Sequence, residues 1–314
     1  MKKLITLSLL TAVLAGSFAA SAQVDAMNSK DFTIKAVDKD DSKAAAEESP
    51  WTKGGVVGAT LSQVSLTNWS AGGNGSVAFD LMFNYSLNYK KEKNLWQSRL
   101  EFAYGMNYSQ VNGPQKTNDK IYLASMYGYE LGKNWYLSAL MNFSTQFANG
   151  YNYGTDPKTF VSQFMAPGYL SFGIGATWKP KTWLTATISP AMWRGTFVLN
   201  STLSDAGAFG VDPGKSLLNQ LGADLLVELN YDITKSINIY SRLDLYSNYL
   251  KKPQNIVTKW DIVLTAKIIK WLSANLTLNM IYDDNVKFPH ADGTPGGAKL
   301  QVKEVLGIGL QASF

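Results

Sequence analysis

Val77-Ala78-Phe79-Asp80-Leu81-Met82-Phe83-Asn84-Tyr85-Ser86-Leu87-Asn88-Tyr89 decides the fold. Val77, Phe79, Leu81, Phe83, Tyr85, Leu87 and Tyr89 share one face, and Ala78, Asp80, Met82, Asn84, Ser86 and Asn88 share the other. A period of two places these sets on opposite sides of a strand, whereas a helix would spread them around its circumference. The next stretch repeats the pattern, with Trp96, Leu100, Phe102, Tyr104, Met106 and Tyr108 against Gln97, Arg99, Glu101, Ala103, Gly105 and Asn107. Between the two lies only Lys91-Glu92-Lys93-Asn94, a hairpin turn.

The same reading runs outward to the C-terminus. Apolar faces recur at Ile121 to Leu131, Trp135 to Phe147, Leu170 to Trp178, Leu184-Ala186-Ile188-Pro190-Met192, Leu221 to Tyr231, Ile237 to Tyr249, Ile256 to Ile268, Leu272 to Tyr282 and about Leu300 to Phe314. These patterns define eleven strands, and the weaker stretch Gly55 to Leu66 supplies a twelfth. Connections alternate too: those at 91–94, 132–134, 179–181, 234–236 and 269–271 are short, while 148–168 and 198–217 are long. Short turns at one end and long loops at the other are the signature of a transmembrane antiparallel up-and-down β-barrel, here of about twelve strands. An even strand count puts both termini on the periplasmic side.

Three features favour a membrane barrel over a soluble β-sandwich. The strands exceed the five or six residues usual in soluble sheets and meet the nine to eleven or so needed to cross a bilayer at a tilt. Trp96, Trp135, Trp178, Trp183 and Trp271 flank the short turns, and Tyr108, Phe147, Tyr249, Trp260 and Tyr282 sit towards the other rim, as two interfacial girdles would. Closure is the third, because hydrocarbon does not tolerate an open sheet edge.

Export is legible at the N-terminus. Met1-Lys2-Lys3, the apolar run Leu4 to Leu14 and Ala20-Ser21-Ala22 make a signal peptide over residues 1–22, with the mature chain starting at Gln23. The absence of cysteine rules out a lipid anchor at the cleavage point, as well as disulfides and thiolate metal sites. Loss of Lys2 and Lys3 leaves 27 basic residues against 24 acidic, too balanced to indicate nucleic acid as a partner. Residues 23–50 are rich in Lys, Asp, Glu, Ala and Ser, a composition expected of a flexible periplasmic segment ahead of a barrel spanning 51–314.

Leu61-Ser62-Gln63-Val64-Ser65-Leu66-Thr67-Asn68-Trp69-Ser70-Ala71-Gly72-Gly73 resembles an outer-membrane family of Bacteroidota known as domain of unknown function 3078. The resemblance extends from about Trp51 to Phe314 and implies an outer-membrane location. It implies no activity, substrate or functional residue. Asn68, Trp69, Gly72 and Gly73 fall in the first outer loop, where the glycines supply positive φ for a tight turn and Trp69 packs the loop onto the rim or lumen.

Catalysis has little support in the residues. A phospholipase-like enzyme would need the lone His290, which sits in a turn-rich loop with nothing nearby to orient it, so no enzyme activity is expected. Asp283-Asp284-Asn285 with Asp292 offers oxygen ligands, but in no EF-hand spacing, and solvated loop residues explain them; no metal or cofactor is expected. With the apolar set facing lipid, Asp80, Arg99, Glu101, Glu130, Asp224, Glu228, Arg242, Asp244, Lys259, Asp261, Lys267 and Lys303 face the lumen. Mixed signs suggest no strong ion preference, and Gly173, Gly175, Gly307 and Gly309 leave room inside. Twelve strands lie between filled barrels of eight and open porins of sixteen. The expected role is a narrow channel or transport barrel for small polar solutes, with a non-conducting interaction subunit as the alternative. The expected partners are outer-membrane lipid and, through the terminal strand ending in Phe314, the outer-membrane assembly machinery.

Overall fold

The need to pair every backbone group in hydrocarbon is met by a closed antiparallel barrel of twelve strands. The computed structural model describes residues 49–64, 76–109, 113–288, 294 and 296–313. The expected signal peptide, nearly all of the polar segment 23–50, the Asn68, Trp69, Gly72 and Gly73 motif, His290, Asp292 and Phe314 lie outside the described residues.

In chain order the strands are β1 (Trp51–Val64), β2 (Ser76–Lys91), β3 (Asn94–Ser109), β4 (Gly113–Gly132) and β5 (Trp135–Thr145), then a small hairpin of β6 (Gly150–Asn152) and β7 (Thr159–Ser162). The barrel resumes with β8 (Gly168–Lys181), β9 (Leu184–Phe197), β10 (Leu217–Asp232), β11 (Ile237–Asn248), β12 (Ile256–Ile269), β13 (Leu272–Tyr282) and β14 (Gln301–Ser313). Each barrel strand pairs with its sequence neighbours, β5 pairs with β8 across the hairpin, and β14 returns to β1. Among the described residues that seam is short: β1 and β14 share four residue pairs, from Val56–Ser313 to Ala59–Leu310, whereas β2 and β3 share sixteen. Leu61 and Leu306, on the two strands beyond the last seam pair, are 76% and 75% exposed.

The apolar faces read from the sequence point outward, and Leu81, Leu137, Phe172, Ile188, Leu221, Ile268 and Ile308 are all exposed. At the short-turn end Trp135 stacks on Trp178, Trp183 meets Tyr231 edge-on, and Trp51 packs against Tyr89. Lipid would solvate this surface; water would not. Glu304 also faces outward, on the row of Leu306 and Ile308 near the long-loop end of β14, a charge that the apolar pattern passes over.

Strand β9 departs from the expected pattern. Proline cannot donate to the sheet ladder, so a proline within a central strand is accommodated at a bulge. Ile174 pairs with Ala191 but Ala176 pairs with Ile188, and Gly222 pairs with Met192 but Asp224 with Ser189. The extra residue around Pro190 reverses the faces after it. Met192, expected on the lipid side, is inside and 3% exposed, Trp193 turns outward, and Arg194 turns into the lumen. The same bulge corrects the reading of two glycines. A Cβ on Gly175 would lie 1.9 Å from the Ile188 carbonyl oxygen, so only glycine fits opposite the bulge, and a Cβ on Gly173 would lie 2.7 Å from the Met192 methyl. Neither leaves room in the lumen, nor does Gly309, where a Cβ would lie 2.8 Å from Thr60 Oγ1, whereas a Cβ on Gly307 would meet nothing within 4 Å.

The two long connections are folded. One carries the β6–β7 hairpin, and the other carries α1 (Ser201–Asp205), capped by Asn200, followed by a 3-10 turn. Ala166, Val198, Leu203 and Val211 form a small buried core between them, with Phe160 and Leu218 packed against it. The Leu199 amide donates to the Met165 carbonyl and Asn200 Nδ2 to Gln163 Oε1, tying one loop to the other. Asp119 anchors the base of the first loop by accepting from the amides of Phe147 and Ala148 and from Lys116 Nζ, all within 2.8 Å.

The bulge makes a direct test available, because the chain has no cysteine. In bilayers, Trp193→Cys is expected to react with a lipid-soluble thiol reagent and Met192→Cys to be protected. The reverse pattern would mean that β9 runs without a bulge.

Candidate functional site: a charged layer across the lumen

Alternation sends the polar residues of every strand inward, and at mid-height the long ones meet. Glu101 (β3), 4% exposed, lies 2.9 Å from Arg99 Nε and 2.6 Å from Lys120 Nζ (β4). Arg99 also reaches Glu228 (β10) at 3.9 Å, and Glu228 accepts from the Tyr240 hydroxyl at 3.0 Å. Arg194 bridges Asp224 and Asp244, with 2.9 Å to the latter, while its guanidinium lies 3.9 Å from the centre of the Tyr246 ring. Asp261 accepts from Asn279 Nδ2 at 2.7 Å and stands opposite Arg242 in register, as Lys259 stands opposite Asp244.

Two contacts cross the barrel: the Arg99–Glu228 pair joins β3 to β10, and a hydrogen bond runs beside it. Arg242 on β11 donates to the Tyr122 hydroxyl on β4 at 3.2 Å, five strands away around a wall of twelve. The Tyr122 ring lies beneath three cations, with Lys120 Nζ 5.0 Å and the Arg99 and Arg242 guanidiniums each 5.8 Å from its centre. Such cation–ring contacts hold long side chains in defined directions as well as stabilising them.

The layer divides the lumen. A cavity of about 790 Å³ occupies the short-turn half, with Lys53, Gln97, Thr182 and Asp232 near its mouth. A second of about 230 Å³ lies towards the long loops, between Tyr169, Thr196 and Gln220. Tyr122, Leu140, Asn142, Leu226 and Arg242 line both.

The residues expected from the sequence divide accordingly. Arg99, Glu101, Asp224, Glu228, Arg242, Asp244, Lys259 and Asp261 come together in or beside the layer. Asp80 lies nearer the long-loop end, 3.4 Å from Asn118 Nδ2, and Glu130 pairs with Tyr136 near the short turns. Lys267 is exposed at the end of β12, and Lys303 falls opposite Asn279. Three cations escape a reading by alternation. Arg194 is hidden by the bulge, Lys120 lies one residue before the apolar face that marks the start of β4, and Lys179, which reads as part of a turn, donates to Gln97 Oε1 at 2.6 Å. Pro190 is the signal in the sequence for the first.

Among the described residues no group of three or more His, Asp or Glu side chains is placed to hold a metal ion. Asp283 accepts from the amide and side chain of Asn285. Asp284 accepts from Lys287 Nζ at 2.9 Å and Asn255 Nδ2 at 2.7 Å, and the Lys287 hydrogen bond holds its carboxyl below the usual range.

A closed barrel with an apolar, aromatic-rimmed exterior and a charged interior defines an outer-membrane β-barrel protein. Residues 61–151 match the model of a family described as "Protein of unknown function (DUF3078)". A search of curated proteins finds no match. Similar solved structures include an outer membrane channel from Pseudomonas putida F1, at 10% identity and a TM-score of 0.40 over 88% of this chain and 100% of that one. The NanC porin is similar at 12% identity and a TM-score of 0.37, over 82% of this chain and 98% of its own. The translocator domain of the autotransporter NalP from Neisseria meningitidis is similar at 10% and 0.32, over 83% and 86%.

Two measurements probe the site. Glu101→Ala would leave Arg99 and Lys120 without their shared carboxylate, and breaking a buried ion pair from one side costs about 3–5 kcal/mol. The expected result is a lower urea midpoint for barrel unfolding, with Glu101→Gln intermediate. For Asp284, a carboxyl NMR titration should show a midpoint below the ordinary value of about 3.9, returning towards it in Lys287→Ala. A depressed carboxylate stabilises the fold above its unfolded pKa, and that contribution disappears as pH falls through the lowered one.

Proposed function

We propose that this chain is a transport barrel of the outer membrane, without enzymatic activity, that passes small polar solutes along a narrow lumen, both termini lying on the periplasmic side. The carrying observation is the interior itself: two polar cavities of about 790 and 230 Å³ meet at a single layer of side chains whose lining they share. An interior stiffened only for stability has no need of cavities that size on either side of one layer, because packed interiors leave few voids larger than a water molecule. Membership of the Bacteroidota family resembled in the sequence forms part of this reading, supported by the match over residues 61–151.

The contact between Arg242 and Tyr122 favours a second reading, a non-conducting barrel braced across its middle. Planar-bilayer recording separates the two. The transport reading expects small, resolvable current steps from the folded chain and larger ones from Arg242→Ala. Silence from both proteins would overturn it, and current from Arg242→Ala alone would establish the braced barrel.

A further inference from the structure

We infer that the junction between the two cavities is a binding site for a small organic monoanion, a polyhydroxylated carboxylate, held by Arg242. The inference rests on the transport reading for its role in the protein, though not for its geometry.

Arg242 differs from Arg99, Lys120 and Arg194. Arg99 and Lys120 lie on Glu101, and Arg194 lies on Asp224 and Asp244. The hydrogen bond that Arg242 makes goes to a neutral hydroxyl, that of Tyr122, and its Nε is buried with no hydrogen-bond partner among the described residues. The two carboxylates beside it in register are engaged elsewhere: Glu228 with Tyr240 and Arg99, Asp261 with Asn279. A guanidinium offers five donors in a planar fork that matches a carboxylate with two parallel hydrogen bonds. Leaving most of them unused at the junction of two cavities makes Arg242 a receptor for an anion that enters from outside the fold.

The charges around the Tyr122 ring agree. Over the whole lumen the signs nearly cancel; here Arg99, Lys120 and Arg242 face three carboxylates, Glu101, Glu228 and Asp261, the last opposite Arg242 in register. Lys179, hydrogen-bonded to neutral Gln97 below, brings the cations to four against those three carboxylates, and one negative charge completes the set. The sequence-based expectation of no ion preference leaves out Lys120, Arg194 and Lys179. Asn84 in the larger cavity supplies neutral polar contacts suited to hydroxyls, while Asn142, which lines both, accepts from the Tyr122 hydroxyl and donates to Ser171 Oγ. A cavity of about 790 Å³ is within the range of about 300–1,000 Å³ usual for small-ligand sites.

Calorimetric titration of the full-length folded barrel in detergent tests this with gluconate and sorbitol, which differ chiefly by the carboxylate. Gluconate is expected to bind saturably and sorbitol at least about tenfold more weakly, as befits a charged hydrogen bond. Arg242→Gln should abolish that difference; Arg242→Lys, which keeps the charge without the fork, should retain part of it and serves if the glutamine variant fails to fold. Equal binding of both compounds, no gluconate binding, or undiminished gluconate preference in Arg242→Gln would overturn the inference. Because binding is read without flux, gluconate binding by a barrel that passes no current would sink the transport reading alone. Current without gluconate preference would sink this inference alone.

Discussion

Everything in this molecule follows from the cost of an unpaired peptide group in hydrocarbon. Each exposed N–H or C=O costs several kcal/mol there, with no water to replace the missing partner. A strand that crosses a bilayer must therefore have a neighbour on both sides, and a sheet made of such strands must return to its starting edge. The barrel strands, from 11 residues in β5 to 20 in β4, meet that requirement in length. The alternation of Val77 to Tyr89 meets it in side-chain chemistry, because closure makes one face of every strand an exterior and the other an interior.

Once the wall is closed, the interior has its own problem. Twelve strands enclose more volume than eight, and small residues do not fill it. The chain places long charged and aromatic side chains at one height, where Arg242 and Tyr122 span the gap, and leaves polar space above and below. Oppositely charged neighbours offset one another's desolvation, so the layer is a linked set of partners and not a scatter of buried charges. Arg194 shows this economy, serving Asp224 and Asp244 while resting on the Tyr246 ring.

Much of this architecture is legible in the amino-acid sequence. Strand number, exterior faces, girdle aromatics and the inward placement of Arg99, Glu101, Glu228 and Arg242 all derive from one period of two, which local sequence records without tertiary help. What escapes depends on interruptions of that period. Pro190 forces a bulge, and a single extra residue exchanges inside for outside, so simple alternation misplaces Met192 and Arg194 together. Gly175 looks like a gap in the sequence and is a steric requirement in three dimensions, because the Ile188 carbonyl takes its place. The loop core of Ala166, Val198, Leu203 and Val211 is invisible to periodicity for another reason, since its members come from two loops with no repeat between them.

The seam between β1 and β14 has a consequence for how the barrel comes apart and is put together. Among the described residues four pairs join these strands, near the short-turn end, while the neighbouring ladders on either side of the seam have ten pairs or more. Hydrogen bonds in a ladder break in sequence from an end, so rupture begins where fewest must be lost. Opening this one ladder converts the cylinder into a curved sheet with every other ladder intact. Assembly run in reverse would make it the last ladder to form. The barrel then behaves mechanically as a clasped ribbon, and its lifetime is set by the clasp.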